Sequence, residues 1–235
     1  MIDKRVSSLA AAVEGIRDGS VILIGGFGAS GIPVELIDAL IDQGAKELTV
    51  VTNNAGAGHT DVAKLLATGR VRKIVCSFPR SAGSVVFEEL FSAGKLELEL
   101  VPQGTLSERM RAAGAGLGGF FTPTAAGTKL AEGKETRVID GREYVFEKPL
   151  KGDVALIKAE TADRWGNLTF RLAARNFAPT MAMAADLTIV QAGRIVDLGG
   201  IAPEQVMTPG IFVDRVVEVA NPVHAGLPNA AGAAR

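Results

Sequence analysis

Residues 21–33 read VILIGGFGASGIP. A short apolar run, Val21–Ile24, enters a cluster of glycines. Pro33 then opens VELIDALIDQG, whose apolar residues return at helical spacing up to Gly44. Strand, glycine turn and helix make the first half of a βαβ unit. The run is apolar throughout, as a parallel strand buried on both faces requires. Pro33 suits a first helical turn, and Gly44 suits a C-terminal cap.

The same alternation continues outward. A helix is expected over 6–17, stopped by Asp18-Gly19. Strands are expected at 48–51, 73–75 and 96–101, separated by helices near 60–68 and 83–93 and followed by one over 105–113. Strands alternating with helices at this spacing form a parallel sheet. Residues 114–133 are rich in Gly, Ala and Thr and read as a long loop. TRVIDGREYVFE, residues 136–147, reads as a β-hairpin across Asp140-Gly141. Further strands are expected at 154–158, 168–170 and 187–191, with a short helix over 177–185. The fold class is α/β: an open, mostly parallel sheet with helices on both faces and an additional β-hairpin region. Residues 1–219 are expected to form a single domain and 220–235 a flexible tail.

Composition narrows the function. The 235 residues are enough for one large α/β domain with a well-buried core. A formal net charge of −1 points to neither nucleic acid nor an acidic membrane surface. The single cysteine, Cys76, excludes an intrachain disulfide framework. No apolar signal region follows the first residues, and the uncharged stretches 19–34 and 112–128 are short and broken by glycines. A soluble, cytoplasmic protein is expected. Hydrophobic residues make up 47% of the chain, which reads either as an apolar surface covered by a partner or as a large core.

The glycine turn contains Gly26-Phe27-Gly28-Ala29-Ser30-Gly31, a literal G-x-G-x-x-G. A dinucleotide site would need an acid at the end of the second strand to bind the ribose. Asn53 and Asn54 stand there instead. Gly25 adds a further glycine, and Pro33 starts the helix close behind. Two readings stay open: a turn needed for packing, or a close backbone approach to an anionic ligand.

Ligands of open parallel sheets bind at the carboxyl ends of the strands. The first strand leads into Gly25 to Gly31, and the second into Asn53 and Asn54. The third leads into Cys76, Ser77, Phe78, Pro79 and Arg80, and the fourth into Pro102, Gln103 and Gly104. Amides, carboxamides and one guanidinium can donate to an oxyanion or a carboxylate. Attacking groups are scarce. Cys76 reads as a buried structural thiol, and His59 and His224 as surface histidines. Glu108 reads as part of a capping box with Thr105. Glu160 and Asp163 read as solvated or turn-stabilising groups in a loop before Trp165. No Cys/His cluster suggests a metal. The edge resembles half of an active site.

A wider set of motifs carries a resemblance. These are VILIGGFGASGIP itself, TNNAGAG at 52–58, VPQGTLSERMRAAGAG at 101–116, FFTPTAAGT at 120–128, DRWGNLTF at 163–170 and ARNFAP at 174–179. Together they resemble the A-type subunit of the 3-oxoacid CoA-transferases, the family I CoA-transferases, over residues 1 to about 219. CSFPR at 76–80 and DRWGNL are similar to the 3-oxoadipate (β-ketoadipate) branch. Two positions depart from the family pattern. Ala178 stands where many relatives have Asn or Gly, and PTAAGT lacks the tyrosine often seen in PTGYGT.

The resemblance implies a succinyl-CoA:3-oxoacid transfer through a glutamate on a separate B-type subunit, in an A2B2 heterotetramer. That glutamate would take the acyl group as an anhydride and then hold CoA as a thioester. CoA and succinyl-CoA are substrates, and no cofactor is bound permanently. On this reading Gly25, Gly26, Phe27, Gly28, Ala29, Ser30 and Gly31 contribute to the CoA site. Gln103 stabilises the oxyanion, with Asn53 and Asn54 beside it. Arg80 would meet the second carboxylate of 3-oxoadipate. Alternatives are the succinyl-CoA:acetoacetate branch, a sugar-phosphate isomerase or sensor domain on a related scaffold, and a non-enzymatic subunit.

Overall fold

A computed structural model describes residues 2–80 and 83–223. The chain enters through α1 (Leu9–Val13). It then alternates β1 (Val21–Ile24), α2 (Val34–Gln43), β2 (Leu48–Val51), α3 (Asp61–Ala67), β3 (Val71–Cys76), α4 (Val85–Ser92) and β4 (Glu97–Leu100), and turns into α5 (Gln103–Gly114). A small antiparallel sheet follows, built from β5 (Phe120–Thr122), β6 (Thr136–Ile139) and β7 (Arg142–Glu147) in the order β5-β7-β6. The chain returns to the main sheet through β8 (Gly152–Asp163), the short β9 (Leu168–Thr169), α6 (Ala178–Ala184), β10 (Ala185–Val196) and β11 (Arg215–Glu218).

The main sheet runs β11-β10-β8-β1-β2-β3-β4, parallel along this path, with β9 antiparallel on β8. Side-chain alternation gives it two apolar faces. Ile22, Ile24, Val154 and Leu156 pack with Leu36, Leu65 and Phe87 of α2, α3 and α4. Leu23, Ala155 and Ile157 pack with Leu106, Met110 and Met181 of α5 and α6. The strands step outward from β1 to β4, and the chain then resumes on the opposite side of β1 with β8. Such a reversal opens a crevice at the carboxyl edge of a parallel sheet. The Asp140-Gly141 hairpin forms as expected, with both residues at positive φ (50° and 77°).

Tertiary pairing changes several expected boundaries. The helix expected over 6–17 shrinks to Leu9–Val13, because the residues before it join the sheet. Val6 N–H donates to Val216 O at 2.8 Å, and Val216 N–H donates to Lys4 O at 2.8 Å. Ser8 then caps α1 by accepting from Ala11 N–H at 3.1 Å. The strands expected at 154–158 and 187–191 both extend to Gly152–Asp163 and Ala185–Val196, because they pair with each other along their whole length. Glu160 and Asp163 therefore lie in a strand. Asp163 does stabilise the turn beyond it, accepting from Trp165 N–H at 2.9 Å and Asn167 N–H at 3.0 Å. The long loop expected at 114–133 contains β5 and the 3-10 turn Lys129–Ala131. Val223 is held by Glu35 through its N–H (2.6 Å) and by Lys158 through its carbonyl (3.0 Å). His224 and the expected tail beyond it lie outside the described residues.

Candidate active site

Parallel pairing brings the ends of β1, β2, β3 and β4 to one edge. There they surround a cavity of about 590 Å³. Of the residues expected at the site, Phe27, Gly28, Ala29, Asn53, Asn54 and Gln103 line it. Asp61, Ser77 and Phe78 also line it. Gly25, Gly26, Ser30, Gly31 and Arg80 do not.

The glycine turn divides between packing and ligand approach. Phe27 N–H donates to Ser30 O at 2.9 Å, and Ser30 N–H returns to Phe27 O at 3.0 Å, which closes a tight loop. Gly31 (φ 75°) sits against the 3-10 turn Leu172–Arg175, where a Cβ would lie 2.5 Å from Ala174 O. Gly28 (φ 57°) faces open space, with nothing within 4 Å of an added Cβ. Gly31→Ala is expected to destabilise the chain by about 2–4 kcal/mol, from backbone strain plus overpacking. Gly28→Ala is expected to cost only about 1–2 kcal/mol, from the left-handed backbone alone. Urea unfolding of the purified chain checks the difference; equal losses would mean that the Ala174 contact yields freely.

Gln103 is the first residue of α5, not part of a loop before it. Pro102 holds the N-cap position, and Leu106 N–H donates to Pro102 O at 2.8 Å. The capping box expected at Thr105 does not form. Thr105 lies inside the helix, with its hydroxyl buried and without a hydrogen-bond partner. Glu108 pairs with Arg111 instead, at 2.5 Å. The helix start aims Gln103 at the buried Asn53, and Gln103 Nε2–H donates to Asn53 Oδ1 at 2.7 Å. Asn53 is held in turn, its carbonyl accepting from Ser77 N–H (3.2 Å) and Phe78 N–H (3.0 Å). Asn54 Oδ1 accepts from Gly56 N–H at 2.8 Å and folds the next loop. Two carboxamides thus meet at the cavity with donor hydrogens to spare.

Arg109 anchors the other end of this arrangement. Its guanidinium donates to Lys148 O and to Glu99, both at 2.9 Å, and ties α5 to β4 and the small sheet. Glu99 accepts from Lys73 as well, and these partners hold its carboxyl below the usual range despite the opposing cost of burial.

Among the described residues, none in the cavity is poised to attack. Cys76 is fully buried, and burial pushes its thiol up to about 12. Asp61 is the one ionisable residue of the lining, but it is buried at the start of α3, with φ 46°, and burial raises its carboxyl pKa. His59 does not line the cavity. Among the described residues, no group of three or more His, Cys, Asp or Glu could hold a metal ion. No helix among them is long and apolar enough to cross a membrane. Arg80 stands outside the cavity, its side chain 67% exposed and 3.8 Å from Glu88. The departing residues sit elsewhere: Ala178 is buried in α6, and the loop at 123–128 does not line the cavity.

Sequence reasoning missed the role of Asn176, although it lies within ARNFAP. Asn176 Oδ1 accepts from Gly26 N–H (3.0 Å), and Nδ2–H donates to Ser30 O (3.1 Å). The same side chain bonds Ala173 O, Ala174 O and Phe177 N–H. It rivets the glycine turn to a loop far along the chain. Its place in the ARNFAP motif was the available signal.

Comparison with known proteins agrees with this geometry. The Coenzyme A transferase family model matches residues 6–219. The A-type subunit of the 3-oxoadipate CoA-transferase from Pseudomonas putida is 62% identical over 93% of this chain and 95% of its own length. The mitochondrial succinyl-CoA:3-ketoacid coenzyme A transferase 2A of Mus musculus is 44% identical over 88% of this chain, which spans only 43% of that longer protein. An acyl-CoA transferase from Escherichia coli O157:H7, solved as a thioester complex with CoA, superposes with a TM-score of 0.81. It shares 23% identity over 96% of this chain and 49% of its own. A doubly covered parallel sheet, a donor-lined cavity at its carboxyl edge and a family match spanning nearly the whole sequence lead to one conclusion: the chain belongs to the Coenzyme A transferase family.

Proposed function

We propose that this chain is the A-type subunit of a cytoplasmic CoA-transferase that moves CoA from succinyl-CoA to 3-oxoadipate. A glutamate carried by a separate chain, the B-type subunit, attacks the thioester carbonyl and expels CoA thiolate, leaving an acyl-glutamyl anhydride. The thiolate attacks the glutamyl carbonyl, releases succinate and forms a glutamyl-CoA thioester. 3-Oxoadipate attacks that thioester, and the returning thiolate then takes the new acyl group and frees the glutamate. Each tetrahedral intermediate carries an oxyanion. Gln103, steadied by Asn53 and with Asn54 alongside, supplies donors for it. Phe27, Gly28 and Ala29 of the glycine turn border the CoA thioester, while Gly25, Gly26, Ser30 and Gly31 hold the turn in shape. CoA is a substrate, and nothing stays bound between turnovers. An A2B2 heterotetramer is the assembly that fits.

The observation that carries this reading is a cavity rich in hydrogen-bond donors with no activated nucleophile among its described residues. The 62% identity to the A-type subunit of a 3-oxoadipate CoA-transferase favours that acceptor. The 44% identity to a succinyl-CoA:3-ketoacid transferase keeps acetoacetate as the second acceptor to test.

Arg80 provides a test of the acceptor. No cation lines the cavity among the described residues, so a second carboxylate is met either by the other subunit or at the rim. Arg80 leaves β3 there, behind Phe78 and Pro79. In the complex with the B-type subunit, Arg80→Ala is expected to lower kcat/KM for 3-oxoadipate by about tenfold to a hundredfold, and for acetoacetate by much less. Steady-state kinetics with both acids measures this. Equal losses would assign Arg80 to CoA or to structure, and no loss would leave the second carboxylate to the other subunit. Absence of transfer to either acid by the wild-type complex would overturn the function itself.

A further inference from the structure

Large apolar side chains stand exposed in and near the cavity. Phe27 (48% exposed) and Phe78 (60%) line it, and Leu172 (82%) lies on the turn that Asn176 joins to Gly26 and Ser30. Leu172 is the unusual one. It opens the 3-10 turn Leu172–Arg175 with φ 48°, a left-handed backbone that a leucine rarely adopts. No burial of its side chain offsets that strain within this chain. Asn176, the residue after the turn, holds it in place: its side chain bonds Ala173 O and Ala174 O within the turn and Phe177 N–H beyond it. Its bonds to Gly26 N–H and Ser30 O fasten the turn beside Phe27. The fold thus spends backbone energy to hold an apolar side chain out in water, next to an active site that another chain must complete.

Charge points the same way. Arg171 and Arg175 flank Leu172, and both are exposed. No salt bridge among the described residues engages either guanidinium. An exposed apolar anchor between arginines has the composition of an interface hot spot.

We propose that the turn from Arg171 to Arg175 is the docking anchor for the glutamate-bearing subunit. Leu172 enters an apolar pocket of that partner, and Arg171 and Arg175 pair with carboxylates around the pocket. Docking also covers Phe27 and Phe78 and shuts water out of the cavity. The proposal rests on the reading that the nucleophile comes from a separate chain. It adds where that chain attaches and what chemistry it must present.

The test uses the co-expressed complex, with the subunit dissociation constant measured by sedimentation on dilution. Leu172→Glu is expected to raise that constant by at least about thirtyfold. Arg171→Ala with Arg175→Ala is expected to raise it as well and to flatten its dependence on salt. Val138→Glu, at a side chain 70% exposed on the small sheet, should leave it within about twofold of wild type. Leu172→Gly gives the sharpest signature. It removes the strain and should make the isolated chain more resistant to urea while weakening the complex. Wild-type affinity in Leu172→Glu overturns the proposal. So does loss of a homodimer of this chain with the glutamate-bearing subunit still attached, which would assign the turn to a second copy. A raised KM for succinyl-CoA with assembly intact would assign it to the ligand and overturn the proposal too. A wild-type complex that assembles through this turn but transfers no CoA supports the docking anchor and defeats only the enzymatic reading.

Discussion

The purified chain, given succinyl-CoA and 3-oxoadipate, is expected to transfer no CoA; adding the B-type subunit restores transfer. The reason is the inventory of the cavity. A nucleophile must reach a thioester carbonyl in an ionised or activated form. Cys76 fails on both counts, because it is fully buried and burial holds its thiol protonated far above neutral pH. Ser77 has a buried hydroxyl with no hydrogen-bonding base to activate it. Asp61 is enclosed at the start of α3. Removing a nucleophile from an enzyme that works through one costs on the order of 10⁶ in kcat. The isolated chain should therefore fall to background, and the combined subunits should exceed it by about that factor. Trapping with hydroxylamine or borohydride under turnover locates the acyl or CoA adduct by mass spectrometry. The adduct is expected on a glutamate of the B-type subunit. Transfer by the isolated chain, or an adduct on Asp61 or Cys76, would sink the division of labour proposed for the two chains.

What the sequence made legible follows from the range of the forces involved. The alternation from β1 to α5 is encoded locally, in short apolar runs and helical periods, and it survives intact. So does the hairpin, because Asp140-Gly141 alone specifies its turn. Where pairing partners lie far apart, the local signal misleads. Val6 belongs to a helix by pattern, yet it and Lys4 bond β11 at the other end of the chain. β8 and β10 continue through Glu160, Thr161 and Arg194, polar residues that read as loop until each strand supplies the other's hydrogen bonds. Thr105 and Glu108 have capping-box spacing, but Pro102 starts the helix earlier, and that start puts Gln103 on the cavity. The site divides in the same way. Residues at strand ends could be placed by counting strands, so Asn53, Asn54 and Gln103 converge as expected. The rivet at Asn176 could not be placed, because its meaning depends on contacts with Gly26 and Ser30 that only the folded chain makes. The motifs pointed to the right family without saying which glycines pack and which face the cavity.

Gln103→Ala is expected to lower kcat by about 10²–10³, the cost of losing one preorganised oxyanion donor. The KM values and assembly with the B-type subunit should change little. The size of the effect depends on how firmly the donor is aimed. Gln103 is fixed at its backbone by the Pro102 cap and by α5, which Arg109 fastens to Glu99 and to the Lys148 carbonyl. It is fixed at its tip by the 2.7 Å bond to Asn53, which the β3 exit holds in turn. One Nε2 hydrogen is used in that bond, and the other remains for the oxyanion. Gln103→Glu tests the charge. It keeps the shape but sets a carboxylate against developing negative charge, so it should lose at least as much as the alanine variant. Asn53→Ala tests the aiming. It should lower kcat through Gln103, so the double variant should be no worse than about the larger single loss. Stopped-flow or steady-state assays of the complex read all three variants. Gln103→Ala within about twofold of wild type, or fully additive losses with Asn53→Ala, would remove the paired carboxamides from the chemistry. The oxyanion would then have to be met by other donors of the lining, the Asn54 carboxamide and the backbone amides of Gly28 and Ala29.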